Sequence, residues 1–263
     1  MSEELEGKHG VQSLEVGMAI LRAMATGKRS MMLKDIATAA GMPPSKAHRY
    51  LVSLIRSGLV EQDRLTSRYD LGPFALNLGL VALDRIDRIR LGLTAIADLR
   101  DAINETTALA VWSDSGPVVV RWERPRRPVT VNVVTGTSLS LLSSAAGRVF
   151  AAWLPERQTE ALLLKELEGS RAPAGITTLA QARTLLADVK AQGLAVLSSG
   201  YFARGVEAVA APVFNFKNEI TMAIALVGVE GSLDLGPASA ALAELRRATR
   251  ELSLRLGASV GAE

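Results

Sequence analysis

Apolar residues recur at helical spacing through the first hundred positions, most clearly between Leu33 and Leu54. Leu33, Ile36, Ala37 and Ala40 stand at i, i+3, i+4 and i+7, the stripe of a short amphipathic helix. Gly41 can take positive φ, so the chain can turn sharply after that helix. Pro43-Pro44 suits the first turn of a second helix, where a missing N–H costs nothing. The second helix turns Ala47, Tyr50, Leu51 and Leu54 inward and leaves Ser45, Lys46, His48, Arg49 and Ser53 outward. Two short helices about a glycine turn predict a helix-turn-helix. A helix from about Ser13 to Thr26, with Leu14, Met18 and Leu21 on one face, is expected before it. A hairpin is expected after it, with Leu59–Gln62 and Arg68–Leu71 flanking the polar tip Asp63 to Ser67. Together these segments predict a winged helix over residues 11–72.

From Phe74 to Ile103 the pattern is one long helix, or two broken near Gly92. Leu83, Ile86, Ile89, Leu93, Ile96 and Ile103 form an apolar stripe between charged positions. That stripe must be buried, and its place between two domains favours pairing with a second subunit. The pattern then changes to mixed strands and helices. Strands are expected at Thr107–Trp112, Val118–Trp122, Val129–Val134, Leu194–Ser198, Val206–Phe214 and Ile220–Val227. Turns at Asp114–Pro117 and Asn215–Asn218 support hairpin pairing. Helices are expected at Ser144–Trp153, Glu156–Leu167, Thr178–Gln192 and Pro237–Leu256. The expected organisation is α+β: a winged helix-turn-helix (11–72), a linker helix and connection (73–103), and a domain with an antiparallel sheet (104–257).

Composition narrows the chemistry. The chain has 263 residues, 48% of them hydrophobic and 22% charged, which is enough for two domains with real cores. There are no cysteines, so disulfides, thiolate metal sites and a cysteine nucleophile are excluded. The two histidines are His9, in a polar N-terminal stretch, and His48, in the second helix of the turn motif. A histidine metal cage or a Ser-His-Asp triad is therefore not expected, and Asp101, Asp114, Asp188 and Asp234 show no convergence. No catalytic residues, metal or cofactor are expected. The polar N-terminus has no signal-peptide core, and the longest nearly apolar run, Leu71 to Leu83, falls well short of the roughly 20 residues of a spanning helix. A soluble, cytoplasmic protein without membrane contact is expected.

The net charge of +3 favours an anionic partner only mildly. Its distribution says more. Lys28, Arg29, Lys34, Lys46, Arg49 and Arg56 face the single acid Asp35 between Lys28 and Gly58. Attached to a helix-turn-helix, such a run points to phosphate contact, with Arg64 and Arg68 of the hairpin positioned along the backbone or minor groove.

In this order the motifs resemble the IclR family of bacterial transcriptional regulators over roughly residues 11–257. The resemblance rests on Val11-Gln12-Ser13-Leu14-Glu15, on Gly41-Met42-Pro43 followed by Ser45 and His48-Arg49, and on Arg68-Tyr69-Asp70-Leu71-Gly72. Further along it rests on Ala145-Ala146-Gly147-Arg148 and on Arg204-Gly205-Val206 leading to Val209-Ala210-Ala211-Pro212-Val213. It implies a winged helix on double-stranded operator DNA, read by Pro44, Ser45, Lys46, His48, Arg49, Arg64 and Arg68. It also implies a linker helix and a GAF-like C-terminal domain that binds a small-molecule effector, in a homodimer or a tetramer built as a dimer of dimers.

Two departures from the family pattern concern DNA: Lys46 stands where a threonine is frequent, and Ser67 where the wing tip often has glycine. Lys46 adds a mobile charge suited to phosphate or a guanine edge. The resemblance places the effector around Val131, Leu139, Ser144, Ala145, Ala146, Gly147, Ser198, Ala208, Ala225 and Val227. Members that bind small carboxylic acids tend to carry Asp, Cys and two serines at the last four. Here those positions leave an apolar lining with few donors beyond Ser198, Ser143, Ser144 and the amides that open the 144–153 helix. Such a lining suits an aromatic or hydrophobic compound, or its acid, better than a short oxoacid. Arg148 is expected to face solvent. The expected function is a ligand-responsive transcriptional regulator of a catabolic or transport operon. The alternative is a sensor or interaction module whose winged helix binds protein.

Overall fold

The first helix, α1 (Gln12–Thr26), buries Gly17, Ile20, Ala23 and Met24 against the two helices of the turn motif, α2 (Leu33–Ala39) and α3 (Pro44–Arg56). The computed structural model describes residues 10–27, 30–126, 135–169, 173, 175–197, 205–236 and 239–259. Within the turn motif Ile36, Ala37, Ala47 and Leu51 are buried, with Leu33, Ala40, Tyr50 and Leu54 packed around them. Gly41 takes φ +65, and Pro44 opens α3. The apolar face expected on α1 is only partly the buried one. Leu21 packs on the core, but Leu14 is 66% exposed and Met18 is exposed as well. Apolar residues lie on two faces of α1, and the face carrying Gly17, Ile20 and Met24 is the one turned inward.

The hairpin forms as β1 (Val60–Gln62) and β2 (Tyr69–Leu71), paired antiparallel with Gln62 opposite Tyr69. Its tip is held by Asp63, whose carboxylate accepts the amides of Leu65 and Thr66 at 2.8 and 2.7 Å. The Thr66 and Leu65 amides hold that carboxyl below its ordinary range, so this support is present at neutral pH and weakens as acid protonates it. Ser67 sits at φ +57, a left-handed conformation that costs a side-chain-bearing residue but not glycine. Ser67→Gly is therefore expected to stabilise the domain by about 0.5–1 kcal/mol, a rise of several degrees at most in its melting temperature by calorimetry.

Two helices follow, α4 (Pro73–Arg85) and α5 (Arg88–Ile103). The break falls at Ile86-Asp87 and not near Gly92. Asp87 has extended backbone and its side chain accepts the Arg90 amide, which starts a new helix. Gly92 lies inside α5, where a Cβ would come within 2.7 Å of Leu109. It is a site of close packing, and the helix runs through it unbroken. Contacts divide the chain into one compact unit ending at Ile86 and another beginning at Asp87, so α4 belongs to the first unit and α5 to the second. In α4 no residue is buried.

The second unit is built on a five-stranded sheet of order β4-β3-β7-β6-β5, antiparallel at every pairing. Its strands are β3 (Thr106–Ser113), β4 (Gly116–Glu123), β5 (Ala195–Leu197), β6 (Val206–Phe214) and β7 (Ile220–Val229). Helices α6 (Ala145–Trp153), α7 (Glu156–Glu168), α8 (Leu179–Gln192) and α9 (Ala240–Arg255) follow the expected periods closely. The N-caps are sequence-encoded: Ser144 for α6, a Thr178–Gln181 capping box for α8 and Ser239 for α9. The strand expected at Val129–Val134 lies outside the described residues. Among the described residues no helix is long and apolar enough to cross a membrane.

Candidate functional site

The outward face of α3 carries Ser45, His48, Arg49 and Ser53, all exposed, with Pro44 exposed at its start and Lys46 half-buried beside them. Ala47 and Leu51, on the opposite side, fix that face by their burial in the core. Thus one helix presents two cations, an imidazole and hydroxyls in a single array. Such an array hydrogen-bonds phosphates and base edges. Arg64 is exposed at the hairpin tip. Arg68 is exposed too, but its guanidinium donates to the Ser30 carbonyl at 3.0 Å and ties the hairpin to the segment before α2. It holds the wing in place as well as contributing charge. Lys28 and Arg29 lie outside the described residues.

In the second unit the expected effector residues gather under α6. Leu139, Ala145, Ala146, Ala208, Ala225 and Val227 belong to or pack on one apolar cluster between α6 and the sheet. The face is paved with small residues. Trp122, Ala108, Ala225, Ala210 and Ala195 stand in one row across all five strands, and the neighbouring row holds Val227, Ala208 and Leu197. Val149 and Phe150 of α6 pack down onto it. Val131 and Ser198 lie outside the described residues.

The turn before α6 is more tightly organised than its composition suggests. Ser144 Oγ donates to the Ser140 carbonyl at 2.7 Å and accepts the Gly147 amide at 2.9 Å, so this hydroxyl is already engaged as a cap. At Gly147 a Cβ would lie 1.9 Å from the Ser140 carbonyl oxygen, so only glycine permits this crossing. Sequence patterns gave no sign of Glu166 of α7. Its carboxylate accepts the Ser140 hydroxyl and the Leu141 and Leu142 amides at 2.7, 2.7 and 3.0 Å and fixes the turn from outside. Arg148 is not solvent-facing as expected. It is buried, and its Nε donates to the Leu142 carbonyl at 2.7 Å, locking the turn from within. The polar groups here thus bond chiefly to one another, and the sheet face beside them is left apolar.

A separate open cleft of about 490 Å³ lies where Lys190–Gly193 meets Arg246, Arg250 and Phe214. It contains none of the expected effector residues.

Comparison with known proteins gives one consistent picture. Residues 13–64 match the model described as IclR helix-turn-helix domain, and residues 81–254 match Bacterial transcriptional regulator IclR C-terminal. The glycerol operon regulatory protein of Streptomyces griseus is 34% identical over 257 residues, covering 96% of this chain and 97% of that protein. Among solved structures, Pseudomonas aeruginosa HmgR matches with TM-score 0.83 and 40% identity over 95% of this chain and 99% of that one. An IclR homologue of Microbacterium hydrocarbonoxydans complexed with 4-hydroxybenzoate shares the fold, with TM-score 0.56 and 21% identity over 94% of this chain and all of that one.

Proposed function

The chain belongs to the IclR family of bacterial transcriptional regulators, and we propose that its effector is an aromatic or otherwise hydrophobic small molecule, or the acid of one. Its relatives are transcription factors with a helix-turn-helix and an effector-binding domain, not enzymes. The observation that carries the effector reading is the alanine-paved sheet face under α6, beside a turn whose Ser144 and Glu166 are already bonded. A two- or three-carbon oxoacid needs several donors that this face does not supply from side chains, whereas a ring needs apolar area. On this reading the bound effector alters operator affinity and so controls a catabolic or transport operon. Pro44, Ser45, Lys46, His48, Arg49, Arg64 and Arg68 form the DNA-contacting set.

The protein acts as a homodimer or as a dimer of dimers. Support comes from α4, in which Phe74, Leu76, Leu78, Leu80, Val81 and Leu83 are all exposed. A helix apolar on both sides needs burial that its own unit does not provide.

Thermal-shift measurement decides between ligand classes. With 4-hydroxybenzoate at about 100 times its Kd, linkage adds about 2.7 kcal/mol, and the melting temperature should rise by several degrees. Glycerol, pyruvate and glyoxylate should leave it unchanged. Stabilisation by those three alone would overturn the apolar-pocket reading.

A further inference from the structure

Trp122 stands at the β4 end of the alanine row, opposite Ala108, and packs against the cluster beneath α6. Its indole nitrogen exposes less than 1 Å² and has no hydrogen-bond partner. Among the described residues the other buried nitrogen of this kind, Nε of Arg100, is 2.9 Å from the Asp101 carboxylate, so its charge is matched. Trp122 has no such compensation. An indole N–H can only donate, and a fully desolvated donor left unmade is costly, so it calls for an acceptor from outside the chain. The surroundings limit what that acceptor belongs to. Its cross-strand neighbour is Ala108, with Ala225 and Ala210 farther along the row, and these present methyl groups and no competing polar atom. The turn before α6 has committed Ser144 and Glu166 to itself.

We propose that Trp122 is the specificity-determining donor of this face, and that its indole N–H hydrogen-bonds an oxygen of an aromatic effector whose ring lies at the margin of the cluster, where Trp122, Leu139 and Ala208 are half-buried. The inference rests on the reading of this face as the effector pocket. It goes further by naming the residue that selects an oxygenated ring over a bare one. The ring of Trp122 supplies apolar wall, and its N–H fixes orientation.

The test is a cycle between one atom of the protein and one of the ligand. Binding of 4-hydroxybenzoate, benzoate and 4-methylphenol is measured calorimetrically on the full-length wild type and on Trp122→Phe, which keeps a ring and removes the N–H. The expected result is a loss of about tenfold or more for 4-hydroxybenzoate on the variant. The analogue that lacks the contacted oxygen should bind both proteins equally. If all three bind the variant within twofold of wild type, the donor role is overturned while the pocket reading stands, an ordered water being then the partner of the N–H. If none of the three binds the wild type, the aromatic-pocket reading itself falls, and the inference with it. Should Trp122→Phe fail to fold, indole-15N NMR on the wild type decides. The Trp122 N–H resonance should move downfield with 4-hydroxybenzoate, and an unmoved resonance at saturation would overturn the proposal. Trp112→Phe and Trp153→Phe assign the three signals.

Discussion

Replacing Lys46 and Arg49 together by alanine is expected to weaken binding to the operator upstream of this gene by about a thousandfold or more at 0.15 M salt. Each removed contact to a phosphate or guanine edge is worth about 1–3 kcal/mol, and a dimer gives up both contacts twice. The salt dependence should change with it. A protein that gives up four phosphate contacts loses about 3–4 units from the slope of log K against log salt. Neither change threatens the fold. Arg49 is exposed and Lys46 half-buried on the outer face of α3, while Ala47 and Leu51 hold the inner face. Alanine is also the strongest helix former. Gel-shift titration at several salt concentrations measures both quantities, with Arg121→Ala/Arg183→Ala in the C-terminal unit as a charge-matched control. Unchanged affinity in the double variant would move the DNA contact away from α3. It would revive the reading in which the winged helix binds protein.

How much of the fold and the site is legible in the sequence differs by element, for physical reasons. The turn motif can be read because one period sets both its helices and its solvent face: Ile36 and Ala37 go in, and Ser45 and Arg49 go out. Most helices of the C-terminal unit are equally legible, since Ser144, Thr178 and Ser239 announce their starts as N-caps. Periodicity fails where it is degenerate. Helix α1 has an apolar Leu14–Met18 side and an apolar Ile20–Met24 side, and only tertiary packing on α2, α3 and the hairpin chooses between them. It fails again at Asp87, where a single side-chain cap outweighs an uninterrupted apolar rhythm. The effector face is legible in its composition and not in its wiring. That Arg148 reaches back to Leu142, and that Glu166 closes on Leu141 from a helix 25 residues away, depends on tertiary placement. So does the pairing of Trp122 with Ala108, because a register shift between Leu109 and Ala110 intervenes in the β3–β4 pair.

Placing glutamate at both Leu76 and Leu80 is expected to convert the proposed dimer to monomer and to lower operator affinity by about 10²–10⁴-fold. The two residues are one helical turn apart on α4, 64% and 53% exposed. Phe74, Leu78 and Val81 lie on its other side and are exposed as well. An isolated helix of this length is marginal in water, so α4 needs burial that the residues around it do not provide. A second copy of the same helix is the occupant that also joins two reading heads. Each leucine removed from water there contributes about 1.5–3 kcal/mol, and a buried carboxylate in its place reverses the sign. The effect on DNA binding comes through avidity, since the substitutions leave the reading face of α3 intact. A dimer binds its second half-site at an effective concentration set by the linkage, and a monomer forfeits that gain entirely. Sedimentation velocity gives the oligomeric state, and titration against a full palindrome and a single half-site gives the coupling. The variant should bind both sites alike, whereas the wild type should strongly prefer the palindrome. Leu164→Glu, an equally apolar exposed position on α7, should change neither measurement. A Leu76→Glu/Leu80→Glu protein that remained dimeric would place the subunit contact elsewhere on the chain. Dimerisation would then have to be carried by another surface, such as the exposed Leu14 and Met18 of α1 or the C-terminal unit, and α4 would need another cover.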